Sequence, residues 1–273
     1  MNWTNYKVVL RLLTPLHIGH VKLGNVQRTR HYVTGKALWG ALTARLTRDY
    51  PELGGDYAAV GKGVNKELAF GYFYPTDDAS GAVSVYPWTN PDDFAWRYLN
   101  TYASTALNYS RNSAEDGSLH ETEFIAPTTR DNKPVYLVGH VFAKQGCELR
   151  WREALPRLQL GGERTYGWGR VAKHSCADTD AGMFEGWKVD LTGARPQLAL
   201  DAETFLCAHA SCDSLNEIQG RVEPLVGRIT AAATAHGEAP RTAQICWAPG
   251  GRVNANVKLQ IGDFGIWKGI GGQ

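Results

Sequence analysis

Cysteine is scarce and unpatterned in this chain. The five cysteines, Cys147, Cys176, Cys207, Cys212 and Cys246, are odd in number, and no two have CxxC spacing. A disulfide framework and a zinc site are therefore not expected, and a reducing cytoplasm suits such a chain. Cys207, His209 and Cys212 lie close together in sequence, but they read as a buried strand cysteine near a loop cysteine, not as a metal site. Long apolar runs are also missing. No window approaches the roughly 18 apolar residues of a membrane helix, and residues 1–7 lack the charged start and apolar run of a secretory leader. Nor is there an excess of one charge: 29 Lys+Arg stand against 27 Asp+Glu, a net +2. Overall charge thus does not announce a nucleic-acid binder, and any such role needs a local basic patch or partners that share it. No internal repeat and no long low-complexity segment is present.

The chain has 273 residues, 43% of them hydrophobic, enough to bury a sizeable core as one large domain or two small ones. It is rich in glycine (30) and tryptophan (9). Glycine permits close backbone approach, and tryptophan supplies stacking surface as well as core.

Residues 6–13 form an apolar run with some alternation, ended by Thr14-Pro15, and predict a central strand. Leu16-His17-Ile18-Gly19 is an extended corner, and Gly24-Asn25 is a turn signal. In residues 28–33, Arg28, Arg30 and Tyr32 share one face at period two. Thr34 caps a predicted helix to about residue 49, with Leu38, Leu42 and Leu46 at four-residue spacing. Lys36 falls in its first turn, where a cation is disfavoured unless an anion binds there. Residues 50–118 read as an insertion, with helical periodicity over 94–107. Residues 120–126 and 134–143 read as strands, 150–158 as a short helix, and 160–171 as a glycine-rich loop running into a strand. Without the insertion the order is β, α, β, β, α, β, the ferredoxin-like arrangement, an α+β fold. A composition shift near 178–186 divides the chain into residues 1–178 and a smaller α+β part, 179–273. In that part residues 187–189, 199–209, 244–247 and 257–261 read as strands and 223–234 as helical.

In the glycine-rich loop Gly161, Gly162, Gly167 and Gly169 surround Arg164, Tyr166, Trp168 and Arg170. Glycines let backbone N–H groups approach phosphates, arginines supply bidentate donors, and aromatics stack on bases. It is not a Walker loop, since no GK[ST] follows, and not a dinucleotide fingerprint, since it enters a strand. A tight helix-to-strand connection with Trp168 in the core explains the same residues. Asp116, Glu121 and Glu123 form a loose acidic group with two members on one strand face. His209 sits among apolar residues and reads as structural. Loop-like stretches at 223–228 and 249–252 fit contacts to RNA or to other subunits.

Three stretches in this order resemble the RAMP superfamily of CRISPR-associated proteins. They are Pro15-Leu16-His17-Ile18-Gly19; Tyr32 to Leu42, containing Gly35, Ala37, Leu38, Gly40, Ala41 and Leu42; and Gly161, Arg164, Gly167, Gly169 and Arg170. The middle stretch, residues 111–125, is also similar, and the resemblance covers about residues 5–173. It implies an RNA-recognition-like fold and a guide-RNA-binding subunit of a type III effector complex in antiviral defence. It points most to the group that caps the guide's 5′ repeat-derived handle. The implied partners are guide RNA, other RAMP subunits and a large polymerase-like subunit, with no cofactor, metal or membrane. The implied RNA-binding residues are Lys22, Arg28, Arg30, Lys36, Gly161, Gly162, Arg164, Tyr166, Gly167, Trp168, Gly169 and Arg170. Backbone subunits that cut target RNA carry an aspartate in the loop after the first strand. This chain has no Asp or Glu between Gly19 and Gly35, so a metal-dependent cut there is not expected. The alternatives are a metal-independent guide-maturing nuclease using His17 or His31, with His20, Lys22 and Lys36 nearby, and a purely structural or backbone subunit.

Overall fold

Alternation in the first strand decides the centre of the molecule. In Trp3–Leu12, Val8, Leu10 and Leu12 enter one apolar cluster, while Trp3 and Val9 enter another. Both faces of this strand are therefore buried. The architecture comes from a computed structural model that describes residues 2–50, 55–180, 182–184, 187–228 and 241–270.

Trp3–Leu12 pairs antiparallel with Tyr136–Lys144 on one side and Val171–Asp178 on the other. Leu68–Phe70 and Tyr74–Thr76 complete this five-stranded central sheet against Tyr136–Lys144. The helix Gly35–Asp49 follows the first strand, and the short helix Trp151–Ala154 with a 3-10 turn, Leu155–Arg157, precedes the last. Leu38, Leu42, Leu46, Trp151 and Leu155 bury themselves with Val8, Leu10 and Leu12 on one sheet face. Each such side chain stabilises the fold by roughly 1.5–3 kcal/mol through burial. Thr34 caps the long helix as its sequence predicts, its hydroxyl accepting from the Ala37 amide at 3.2 Å.

Two expectations change here. The stretch read as an insertion supplies sheet strands at Leu68–Phe70 and Tyr74–Thr76. The strand expected beside them, His120–Ile125, lies instead in a separate four-stranded sheet with Gly19–Leu23, Val26–Thr29 and Leu99–Ser104. Its alternation was legible; its partner was not, because pairing is set by contacts distant in sequence. The helical periodicity over 94–107 is divided likewise, into a helix Pro91–Tyr98 and the strand Leu99–Ser104.

The other face of the central sheet is covered by a seven-stranded sheet built beyond residue 188. Val9, Val138 and Phe142 share a cluster with Leu198, Leu200, Ile261 and Trp267. Within that sheet, Val222–Arg228 is an edge strand paired with Arg241–Trp247, not the expected helix. Its pattern has period two: Glu223 and Leu225 are buried, Val222 and Val226 exposed. Pro224 is tolerated because an edge strand spends only one side on pairing. The expected helical residues 229–234 lie outside the described residues. The expected strand 199–209 is shorter, Gln197–Leu200, and resumes only at Ala210–Ser211. Among the described residues no helix is long and apolar enough to cross a membrane.

Candidate nucleic-acid interface

The glycine-rich loop and the Pro15–Gly19 corner, about 150 residues apart in sequence, meet in space. The Gly162 amide donates to the His17 carbonyl at 2.8 Å, and the Gly169 amide to the Pro15 carbonyl at 2.7 Å. The Thr14 hydroxyl donates to the Gly167 carbonyl and accepts from the Arg170 amide, each at 2.9 Å. Glycine is required at two of these positions. Gly161 has φ +75°, and a Cβ there would stand 2.2 Å from the His17 carbonyl oxygen. Gly169 has φ +78°, and its Cβ would stand 1.8 Å from the Leu160 carbonyl oxygen. Gln159 holds the loop from within, its amide nitrogen donating to the carbonyls of Arg164 and Trp168, each at 2.9 Å. Thr14 acts through contacts distant in sequence, whereas Gln159 lies just outside the glycine-rich motif that it holds.

This latch presents the loop's large side chains outward. Arg164 and Arg170 are exposed, and Tyr166 is 79% exposed. Trp168 is half-buried, packing edge-on against Phe124 at 5.1 Å and Tyr102 at 6.2 Å between ring centres. Phe124 and Tyr102 come from neighbouring strands of the four-stranded sheet. Lys22, Gln27, Thr122 and Tyr102 pair in one row across that sheet and so share this face. The result is an aromatic surface of Tyr102, Phe124 and Trp168, with Lys22 on the same sheet face and Arg164 and Arg170 exposed on the loop that carries Trp168. Tyr102 and Phe124 escape sequence reasoning because only strand pairing brings them beside Trp168.

The remaining basic residues lie elsewhere. Arg28 and Arg30 were expected to act from one strand face with Tyr32, but the strand ends at Thr29 and the chain turns inward. Arg28 faces the opposite side of the sheet, with its Nε 2.9 Å from a Glu123 carboxylate oxygen. The other Glu123 oxygen accepts from the Thr29 amide at 3.0 Å. Arg30 is buried and ion-paired with Glu223, so its guanidinium is not displayed to a polyanion. Lys36 lies over the Phe264 ring at 5.2 Å, and burial lowers its pKa. The chain packs closely at the start of this helix: the Phe264 carbonyl oxygen would be 2.5 Å from a Cβ at Gly35.

Glu223 is a buried hub. Its carboxylate takes His209 Nε2 at 2.7 Å, Arg221 Nη2 at 2.8 Å, His20 Nε2 at 3.2 Å, and Arg30. Burial opposes its ionisation, but hydrogen bonds from His20, His209 and Arg30 overcome that and hold the carboxyl well below the usual range. His209 carries Tyr72 on its other ring nitrogen at 2.7 Å, which makes it the structural residue its sequence context suggests. His17 is buried, its Nδ1–H donating to the Glu123 carbonyl at 2.8 Å. His31 packs on Phe94, and its pKa is lowered by burial, partly offset by Glu123. Among the described residues no three His, Cys, Asp or Glu side chains converge as a metal site.

The class is thus a sheet-rich mixed α/β protein whose corner and glycine loop lock together and present an aromatic–basic surface. The chain belongs to the RAMP superfamily, whose family model matches residues 9–172. No curated protein matches it. Among solved structures, one similar chain is that of the "Cryo-EM structure of the Type III-B Cmr-beta bound to cognate target RNA". It has 13% identity and a TM-score of 0.45, over 65% of this chain and 61% of that one. The match thus spans about three fifths of that neighbour's length.

Proposed function

We propose that this chain is a non-catalytic, RNA-binding subunit of a CRISPR type III effector complex, binding guide RNA, with its 5′ repeat-derived handle as the favoured segment. Its partners would be other RAMP subunits and a large polymerase-like subunit, in the cytoplasm. Membership of the superfamily supports this reading. The central sheet, in chain order fourth, first, third, second with both helices on one face, supports a ferredoxin-like unit within it.

The observation that carries the reading is the surface of Tyr102, Phe124 and Trp168, with Lys22 on its sheet face and exposed Arg164 and Arg170 on the adjoining loop. Exposed aromatic edges and faces accept bases, and flanking cations accept phosphates, without demanding sequence readout. Arg30 and Lys36 fall outside this surface, and Gly161 and Gly169 serve it by shaping the loop. A guide-maturing nuclease has less support, because His17 is buried and spends its Nδ1 proton on a backbone carbonyl.

Fluorescence anisotropy with a labelled single-stranded RNA tests the reading. Trp168→Ala and Tyr102→Ala should each weaken binding by about 1–3 kcal/mol. The logarithm of the binding constant should fall linearly with that of salt. Affinity unchanged in both variants would sink the reading.

A further inference from the structure

On the other side of the four-stranded sheet lies a cleft of about 390 Å³ between the 19–29 hairpin and the turn at Pro249. We propose that this cleft is a second binding site and that it takes a nucleoside phosphate.

Its lining mixes two chemistries. Arg28, Arg221, His20 and His31 are basic; Val21, Leu23, Trp88 and Pro249 are apolar, with Val21 directly across the hairpin from Arg28. The cationic part is preorganised from behind. Glu123 fixes Arg28, and Glu223 fixes Arg221 and His20. Counting the buried Arg30, three guanidinium groups face two carboxylates, so the cleft keeps a positive charge before either histidine is protonated. A guanidinium carries five N–H donors in a fixed fork, more than one carboxylate contact uses, and the rest suit a phosphate.

The apolar side chains decide against a bare anion. Leu23 is 57% and Val21 45% exposed, so both stand ready to be covered. Trp88 is held rigidly: it stacks on Tyr86 at 5.0 Å, and Gly250, with φ +89°, lies so close that a Cβ would stand 2.9 Å from it. Inorganic phosphate would leave these side chains wet. A nucleoside phosphate puts its phosphoryl group on the arginines and its base and sugar against Leu23 and the Trp88 edge. The volume is in the range of small-ligand sites.

The ligand can be a free nucleotide or the terminal nucleotide of an RNA. Only the second source rests on the RNA-binding reading, because Arg28 and Phe124 project from opposite faces of the sheet.

The test is calorimetric titration of the full chain with AMP, inorganic phosphate, and a short RNA bearing either a 5′-phosphate or a 5′-hydroxyl. AMP should bind at least about tenfold more tightly than phosphate. Arg221→Ala and Leu23→Glu should each weaken AMP by about tenfold or more. Leu23 is exposed, so its variant remains informative if loss of Arg221 disturbs Glu223. A 5′-phosphate-dependent gain for RNA assigns the terminal nucleotide; AMP binding without that gain assigns a free nucleotide. No AMP binding, equal binding of AMP and phosphate, or AMP affinity unchanged in both variants overturns the proposal. AMP affinity that survives Trp168→Ala separates this cleft from the RNA surface; AMP affinity lost with Trp168 overturns a separate cleft. RNA binding that persists without AMP binding sinks the cleft alone, and the reverse sinks the RNA surface alone.

Discussion

His140 shows what one side chain can carry. It lies in the central sheet, 4% exposed, with its Nδ1–H donating to Asn5 Oδ1 at 2.9 Å. Burial, with a smaller push from Lys7, lowers its pKa from 6.5 to about 4. The folded chain therefore resists a proton that the unfolded chain accepts. Stability from this group is whole above about pH 6.5 and drains away as the pH falls towards 4. The loss is at most about 3 kcal/mol. Urea unfolding at several pH values should show this slope, and His140→Gln should flatten it even where it lowers overall stability. An unflattened slope would assign the acid sensitivity to other groups. Nothing in the sequence marks His140, because its neighbours Asn5 and Phe184 reach it only through the fold.

Among the elements, the glycine-rich loop separates two reasons for being glycine. Gly167 has φ +82° but no atom within 4 Å of a Cβ, whereas at Gly169 a Cβ would overlap the Leu160 carbonyl. Gly167→Ala should cost only the left-handed backbone penalty, about 1–2 kcal/mol. Gly169→Ala must also displace backbone, and should cost about 4 kcal/mol or more. Thermal melts of the two variants give the comparison, and equal costs would contradict the latch. This loop was legible as a motif, and the Gly35–Asp49 helix as a cap plus leucines at four-residue spacing, because both signals are local. The strand Val222–Arg228 was not. Glu223, an acidic residue at a core position, disguises its period until His20, Arg30 and His209 are seen around it.

Across the whole molecule, that same glutamate ties the C-terminal sheet to the hairpin that carries Arg28 and Lys22. Glu223→Gln leaves Arg30 buried without a counter-charge and should cost about 3–5 kcal/mol. Chemical denaturation measures it; a change under 1 kcal/mol would mean that the cluster acts as a surface pair. The C-terminal sheet also covers one face of the central sheet, opposite the face that carries the helices. That the residues beyond 188 hide this face was not legible, since apolar residues at Val9, Val138 and Phe142 look the same under either a helix or a sheet.

The register of the central sheet has a consequence in time. Trp3–Leu12 is made well before both its neighbours, Tyr136–Lys144 and Val171–Asp178, which follow more than a hundred residues later. Until then a strand with two apolar faces waits unpaired, the condition under which nascent chains stick to one another. Synthesis, not the finished structure, is where this chain is most exposed to failure. Slower translation before residue 136 should lower its soluble yield, and a holdase chaperone should restore it.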